Sequence, residues 1–342
     1  MDIEERKKRI LAIIVEAYIR GGEPIGSKYI AEKSDLGVSP ATIRNAMADL
    51  EQMGYLVQPH TSAGRIPSDK GYRFYVDHLM QEYMFSQAEA ERFRQLLKVR
   101  VRTLDRFIES LAGVVSEFTS YTAVLVAPKV VGTIKHIELV PLDEDTLLFI
   151  MASSSGVVKN DIYHLPRSVN PRSIKVLSNA LKKHFTGLSV GEIELEMLPK
   201  LVGSALSDEG EIMAVLSTIN ELFESAESAE VYLSARANIF EFMQEYNNHK
   251  AKEFIALLDN KNQVSQLLKP KSEHIEVIIG RENPVPEMNE ISIVMRNYRI
   301  DGEKTGTLAV IGPTRMNYAK VITGLDFFIQ FLDHLFDRED GR

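Results

Sequence analysis

The stretch LGVSPATIRNAMADLEQMGYL, residues 36–56, carries a start signal and a stop signal for one helix. Gly37 predicts a turn, Ser39 is a good N-cap, and Pro40 suits the first helical position. Gly54 follows the last apolar residue of the helical pattern, where a glycine typically ends a helix. The stretch therefore predicts a short helix that is entered from a glycine turn.

Two more helices are predicted upstream of this one. Residues 5–20 place their apolar side chains on one stripe, which stops at Gly21 and Gly22. A shorter helix is predicted to start after Ser27, which we interpret as its N-cap. Three helices in about fifty residues, the last two joined by a glycine turn, are typical of a helix-turn-helix domain.

Wound at about 100° per residue, the third helix has two different faces. The face expected to pack against the first two helices is apolar and consists of Ile43, Ala46, Met47, Leu50 and Met53. The opposite face carries small and polar residues, namely Ala41, Asn45, Ala48 and Gln52, flanked by Thr42 and Arg44. The third helix is therefore predicted to present this small and polar face to the solvent.

The chemistry of the outward face suits the major groove of DNA. Alanine side chains permit close approach, an asparagine can bond adenine through two hydrogen bonds, and an arginine can reach guanine or phosphate. Ser39 and Thr42 lie where a helix N-terminus meets phosphate. The alternative is a helical hairpin of another kind whose polar face is simply solvated.

A two-stranded ribbon, or wing, is predicted directly after this helix. Residues 55–67, YLVQPHTSAGRIP, alternate like a short strand, turn through 62–64 and return. The expected DNA contacts of the ribbon, on the phosphate backbone or the minor groove, are His60, Thr61, Ser62 and Arg65. A plain surface hairpin is the alternative. Residues 67–77 are expected to cap and orient the next helix rather than to touch DNA.

Composition limits the other classes of function. The net charge is −8, so a nucleic-acid partner must be argued from motif geometry rather than from a basic surface. The chain has no cysteine, which fits a reducing cytoplasm, and the apolar run 10–15 is too short for export or for spanning a bilayer. Nucleotide-binding, nucleophile-elbow and zinc-protease motifs are missing, and the eight histidines are scattered. We expect no enzyme, no cofactor, no metal and no membrane partner.

In the rest of the chain the hydrophobic period changes four times between helical and strand-like. Residues 93–118 approach a heptad seam, which is interpreted either as packing within the domain or as a contact with a second subunit. Strand-like runs follow at 121–127, 133–141, 146–152 and 156–163, then helical runs over 171–268 with one possible lone strand at 230–236. Strands return at 274–280, 291–299 and 304–311 before a final helix over 317–336. This order predicts an α+β domain interrupted by a helical insert.

Residues 39–77, SPATIRNAMADLEQMGYLVQPHTSAGRIPSDKGYRFYVD, closely resemble the winged-helix signature of HrcA, a family of bacterial heat-inducible transcription repressors. Weaker likeness continues through TSYTAVLVAP, IKHIELVPL, YLSARANIF and GTLAVIGPTRMNYAKVI, so it covers nearly the whole chain.

The resemblance implies an α+β multidomain protein. Its expected parts are a winged helix-turn-helix domain with a trailing linker helix over 1–87, a GAF-like α/β domain over 88–142 plus 246–338, and an inserted α+β dimerisation domain over 143–245. A cut near 165 is the alternative boundary.

The resemblance also implies partners. Such repressors bind an inverted-repeat operator, the CIRCE element, as homodimers upstream of groE-type and dnaK-type chaperone operons, and the GroEL chaperonin keeps them active. A symmetric dimer suits an inverted repeat because each recognition helix reads one half-site. The expected location is the cytoplasm. The alternative function is a winged-helix regulator whose GAF-like domain binds a small effector.

Overall fold

The computed structural model describes most of the chain, namely residues 4–60, 64–89, 91, 104–127, 133–154, 158–189, 192–193, 217–219, 230–234, 248–300 and 303–336. Two compact units result. The first comprises Met1–Leu125, Tyr232–Asn297 and Thr307–Leu332, and the second comprises Val126–Val231, Tyr298–Gly306 and Asp333–Arg342.

The first unit begins with three helices, α1 (Glu5–Gly21), α2 (Ser27–Lys33) and α3 (Pro40–Gln52). The predicted stops are confirmed, since Gly22, Gly37 and Gly54 all have positive φ, which glycine adopts without strain. The predicted cap of α2 is wrong. Gly26 is the N-cap, and Ser27 is the first helical residue and is buried. A buried hydroxyl at that position packs inside the helix bundle and leaves the end of α2 uncapped by any side chain.

A small antiparallel hairpin follows α3. Strand β1 (Leu56–Val57) pairs with β2 (Ile66–Pro67), with Leu56 opposite Pro67. The hairpin is tied to the helices by a backbone bridge, in which Ile25 and Arg65 exchange two N–H···O bonds of 2.9 Å. Helix α4 (Asp69–Phe74) comes next and continues into a π-helical turn, Tyr75–Leu79.

A five-stranded sheet lies mostly in the first unit. The chain enters it through helix α5 (Leu104–Thr119) and strand β3 (Thr122–Ala127). The other strands are β7 (Glu230–Ser234), β8 (Glu276–Ile279), β9 (Ile291–Ile300) and β10 (Glu303–Pro313), in the order β7-β3-β10-β9-β8. The strand predicted at 230–236 between helical runs is confirmed as β7, which pairs with β3 at the sheet edge. The alternation of apolar residues predicts a strand but does not show which strand it pairs with, here one about a hundred residues earlier in the chain.

The first unit also contains further helices. They are α7 (Asn248–Asp259), α8 (Lys261–Leu267) and α9 (Tyr318–Phe336), together with α5. Phe118 of α5 packs on Phe328 of α9 with ring centroids 6.3 Å apart. Leu111, Val115 and Phe118 are all buried within this chain, so this part of the heptad-like pattern is internal packing. Residues 93–103 of the pattern lie outside the described residues.

The second unit contains a three-stranded antiparallel meander and a helix. Strands β4 (Ile134–Pro141), β5 (Thr146–Ser153) and β6 (Val158–His164) stand in sequence order, and α6 (Pro171–Phe185) follows them. The core of this unit is apolar and includes Ile137, Leu139, Phe149, Met151, Leu177 and Leu181. Because β4 pairs with β5 from Ile134 to Pro141, the second unit includes residues upstream of 143.

Candidate nucleic-acid interface

Helix α3 has the two faces that its sequence predicts. Ile43, Ala46, Met47 and Leu50 are at most 5% exposed and pack against the other helices of the bundle. On the opposite side Ala41, Arg44 and Asn45 are exposed, and Thr42 and Ala48 are half-buried. Within the described part of the chain, neither Arg44 nor Asn45 bonds another described side chain. Their donors and acceptors are thus available to a ligand outside the bundle.

The N-terminus of α3 is built as predicted. Ser39 is the N-cap, and its Oγ accepts a hydrogen bond from the backbone N–H of Thr42 at 3.2 Å. The Oγ atoms of Ser39 and Thr42 are also 3.1 Å apart, within hydrogen-bond distance. Ser39 and Thr42 therefore stand together at the positive end of the helix, where an anion is stabilised.

Replacing the cap should weaken this helix measurably. We expect Ser39→Ala to lower the free energy of unfolding by about 0.5–2 kcal/mol, because it leaves a helical N–H without its partner. Urea unfolding followed by circular dichroism measures the change. Ser39→Asp serves as the matched control, since aspartate also caps a helix and should restore the stability. Equal loss in both variants would contradict a capping role.

The hairpin carries the predicted contacts only in part. His60 is exposed three residues beyond the end of β1, whereas Thr61, Ser62 and Ala63 lie outside the described residues. Gly64 begins the return, and a Cβ atom there would stand 2.4 Å from the carbonyl oxygen of Ile25. Only glycine permits this approach, so the base of the hairpin is held against the residue that precedes α2.

Arg65 is engaged inside the protein. Its Nε and Nη2 atoms both lie 2.9 Å from Glu51 Oε2, and its side chain is 20% exposed. Glu51 belongs to α3, so the ion pair joins the return strand to the last turn of that helix. The sequence indicated Arg65 as a contact of the ribbon but gave no sign of this pairing, because the two residues are fourteen positions apart.

Residues 67–77 were expected to cap and orient the next helix, but most of them form α4 itself and the start of the π-helical turn. Ser68 is the N-cap of α4 and donates its hydroxyl to Gly54 O at 2.6 Å. Lys70 Nζ donates to Met53 O at 2.8 Å. Gly71 and Tyr72 are buried, so they are not part of an exposed interface. Helix α4 is thereby fastened to the C-terminal end of α3.

The comparisons with known proteins agree on one class. A curated heat-inducible transcription repressor HrcA of Acetivibrio thermocellus is 35% identical over 331 residues, which is 96% of this chain and 94% of that protein. The HrcA repressors of Caldanaerobacter subterraneus subsp. tengcongensis (38% identical, covering 98% of this chain and 97% of that protein) and Clostridium perfringens (39% identical, covering 94% and 95%) are also similar over nearly the whole chain. Such relatives define a transcription repressor, which acts on DNA, and not an enzyme.

The family model described as HrcA protein C terminal domain matches residues 105–322. The chain belongs to the HrcA family of heat-inducible transcription repressors. A crystal structure of a hypothetical protein has a similar fold, with a TM-score of 0.68 and 22% identity over 98% of this chain and 99% of the other. Among the described residues, no helix has the length and apolar content needed to cross a membrane.

Proposed function

We propose that the N-terminal region is a winged helix-turn-helix domain and that α3 is its recognition helix. The observation that carries this proposal is the exposure of Arg44 and Asn45 on the side of α3 opposite its buried face. Ala41 and Ala48 flank them and add little bulk, which permits a close approach to base edges. Ser39 and Thr42 then meet a phosphate at the helix N-terminus.

We propose that the hairpin is the wing. His60 is exposed at its outer end, and Thr61 and Ser62 follow in the sequence, so the three hydrogen-bonding side chains are proposed to touch the DNA backbone or the minor groove. Arg65 completes the set. Its pairing with Glu51 supports a place at the base of the wing, beside the DNA rather than at the tip.

The pairing of Arg65 gives a prediction. We expect Arg65→Ala to weaken binding to operator and to random DNA by the same factor, about two- to fivefold, because it removes a partly buried ion pair, which is worth about 1 kcal/mol. Fluorescence anisotropy with both duplexes measures the two affinities.

Glu51→Gln separates two roles of Arg65. If the pair positions the wing, this variant weakens binding as Arg65→Ala does. If Arg65 instead contacts phosphate directly, losing a neighbouring carboxylate leaves binding unchanged or strengthens it. The second outcome would contradict the positioning role of Glu51.

The proposed operator is an inverted repeat of the CIRCE type, bound by a homodimer at groE-type and dnaK-type chaperone operons. A two-fold axis through the dimer places one recognition helix on each half-site. We propose that the GroEL chaperonin acts as a partner that maintains the active repressor in the cytoplasm. Support for these statements comes from membership of a heat-inducible repressor family and from the signature in residues 39–77.

We propose that the five-stranded sheet with its helices is the GAF-like domain and that the second unit includes the inserted dimerisation domain. Pairing of β4 with β5 supports a start for the insert upstream of residue 143. On the outer strand β6, the side chains of Val158 and Ile162 are 48% and 56% exposed. Exposed apolar side chains on an edge strand support a subunit contact in this region.

A footprint of the purified protein on chaperone promoters tests the proposal. Protection of two symmetric half-sites, with affinity that rises on adding chaperonin, is the expected result. Protection of a single asymmetric site would exclude a symmetric dimer on an inverted repeat. Release of DNA by a small metabolite, with no response to chaperonin, would instead favour an effector-binding regulator.

A further inference from the structure

A polar contact inside the first unit joins α4 to the loop that follows β8. Arg73 of α4 forms a two-point ion pair with Glu282, from Nε to Oε1 at 2.9 Å and from Nη2 to Oε2 at 2.5 Å. Its Nη2 also donates to the carbonyl oxygen of Val277 at 2.5 Å. The two charged residues are 209 positions apart in the sequence. The guanidinium of Arg73 therefore bonds both strand β8 and the loop that follows it.

Neighbouring carboxylates stabilise the positive charge of Arg73. Asp77, one turn later, lies 3.2 Å from Nη1, and Glu282 also accepts the backbone N–H of Ile279 at 2.9 Å. Hydrogen bonding to Glu282 holds the pKa of Arg73 above its ordinary value, against the opposite effect of burial. The planar fork of an arginine fixes both the distance and the angle of a carboxylate, which a lysine does not.

Asp69 makes a second attachment one turn earlier on α4. Its Oδ2 accepts the backbone N–H of Arg281 at 3.1 Å. Gly280 has a φ of 53°, and a Cβ atom there would lie 2.5 Å from Asp69 Oδ1. The loop 280–282 thus comes so close to Asp69 that only glycine fits at its first position.

An aromatic contact lies between the two polar attachments. Tyr72 is buried on α4 and packs on Tyr318, the first residue of α9, with ring centroids 5.9 Å apart. The hydroxyl of Tyr318 is fixed by Ser292 and by Thr314 O, each at 2.7 Å. Helix α4 is consequently held against the sheet-bearing part of the unit by three contacts, at Asp69, Tyr72 and Arg73.

The other side of α4 holds the end of α3 through Ser68 and Lys70. We propose that Arg73, with Glu282 and Asp69, positions the recognition helix by fixing the angle of α4 on the sheet-bearing part of the unit. This inference rests on the proposed function, in which two copies read an inverted repeat. In a dimer, the angle of each DNA-binding domain sets the separation of the two recognition helices, and hence the half-site spacing that is bound.

The proposal separates a positioning residue from a DNA contact. A duplex with one half-site requires no fixed separation, so its affinity does not depend on Arg73. The full operator gains affinity because both half-sites are bound at once. That gain falls when the two DNA-binding domains of the dimer are loosely oriented. Arg73 acts at a distance from the bases, and its loss is predicted to affect only the full operator.

The first test compares Arg73→Ala with wild type on the footprinted operator, on a single half-site, and on operators with spacers changed by one or two base pairs. We expect Arg73→Ala to lose about tenfold on the full operator and less than about twofold on the half-site. Its preference for the native spacer should also become weaker. The exchange of charges in Arg73→Glu with Glu282→Arg should restore part of that preference. Equal loss on both duplexes, or an unchanged spacer preference, would overturn the proposal.

A matched control separates positioning from simple loss of stability. Arg296 and Asp326 form an ion pair between β9 and α9, with side chains 26% and 42% exposed, close to the 29% and 38% of Arg73 and Glu282. Arg296→Ala therefore removes a similar pair that does not touch α4. It should leave the spacer preference unchanged. If it relaxes the spacer preference as Arg73→Ala does, the effect is one of stability alone.

A second readout needs no DNA. The chain has no cysteine, so Lys33→Cys and Glu287→Cys together give two unique sites for spin labels, both at exposed positions. Labelled protein diluted with unlabelled protein reports the intrachain distance between α2 and the loop 286–288. Arg73→Ala should broaden this distance distribution, and the charge exchange should narrow it again. If the distance distribution of Arg73→Ala is unchanged, the positioning role of Arg73 is contradicted even if the operator is bound. If the wild-type protein does not bind inverted repeats, only the proposed function is contradicted.

Discussion

Replacing Arg44 or Asn45 by alanine is expected to weaken operator binding by about 1–3 kcal/mol for each residue, or about 5- to 150-fold. The reason is their place on α3: both are exposed on the face opposite Ile43 and Leu50, which are fully buried. The alanine variant loses the hydrogen bonds to the base edges, and the donors and acceptors of those bases are left without a partner. The double variant should lose roughly the sum, reduced where the two side chains share one base pair.

The measurement compares operator with scrambled DNA of the same length and salt concentration. Asn45→Ala should change operator binding far more than scrambled binding, since asparagine carries no charge. Lys175→Ala is a useful control for Arg44→Ala, because it removes one positive charge from an exposed position on α6. If Arg44→Ala lowers both affinities equally, that arginine contacts phosphate only. If neither variant changes operator binding, α3 is not the recognition helix.

Local rules predicted the N-terminal helices well. Ser39, Pro40 and Gly54 act within a few residues of the helix ends that they define, so their effect can be inferred from the sequence alone. The two faces of α3 follow from helical period in the same way. Ser27 shows where local rules fail: a good cap residue became a buried helical residue because packing in the bundle decided its place.

Long-range features were beyond sequence reasoning. The partner of β7 is set by the three-dimensional path of the chain, and so is the attachment of β4 to β5 rather than to the five-stranded sheet. The polar residues Asp69 and Arg73 lie inside the DNA-binding signature, yet they bond residues more than two hundred positions away. Such distant partners leave no local pattern in the sequence, which predicted only that residues 67–77 cap and orient the next helix.

Of the expected DNA contacts, Ser39, Ala41, Thr42, Arg44, Asn45, Ala48 and His60 lie in the described part of the chain on the helix and hairpin where the sequence placed them. Their contact with DNA stays a prediction. Arg65 shows what burial and pairing add, because its two short contacts with Glu51 give it a structural role that its position in a polar turn did not indicate.

Gly71→Ala is expected to destabilise the DNA-binding region by about 1–3 kcal/mol, because it forces extra volume into a closely packed place. Gly71 lies in α4, and a Cβ atom there would stand 2.1 Å from the carbonyl oxygen of Tyr55. In an open helix the same change would add up to about 1 kcal/mol of stability, so the clash must reverse the sign. The backbone has to move, since the neighbouring atom is not part of a flexible side chain.

The movement should reach the DNA-binding face. Tyr55 O accepts the backbone N–H of Ser68 at 3.1 Å, and Ser68 in turn donates to Gly54 O. Pushing α4 away from Tyr55 therefore strains the contacts that fasten α4 to the end of α3, and operator affinity should fall with stability. Gly21→Ala is the matched control, because Gly21 ends α1 and a Cβ atom there would meet nothing within 4 Å. Urea unfolding and operator titration of both variants measure the two effects. A Gly71→Ala protein as stable as Gly21→Ala would mean that α4 does not approach Tyr55 this closely.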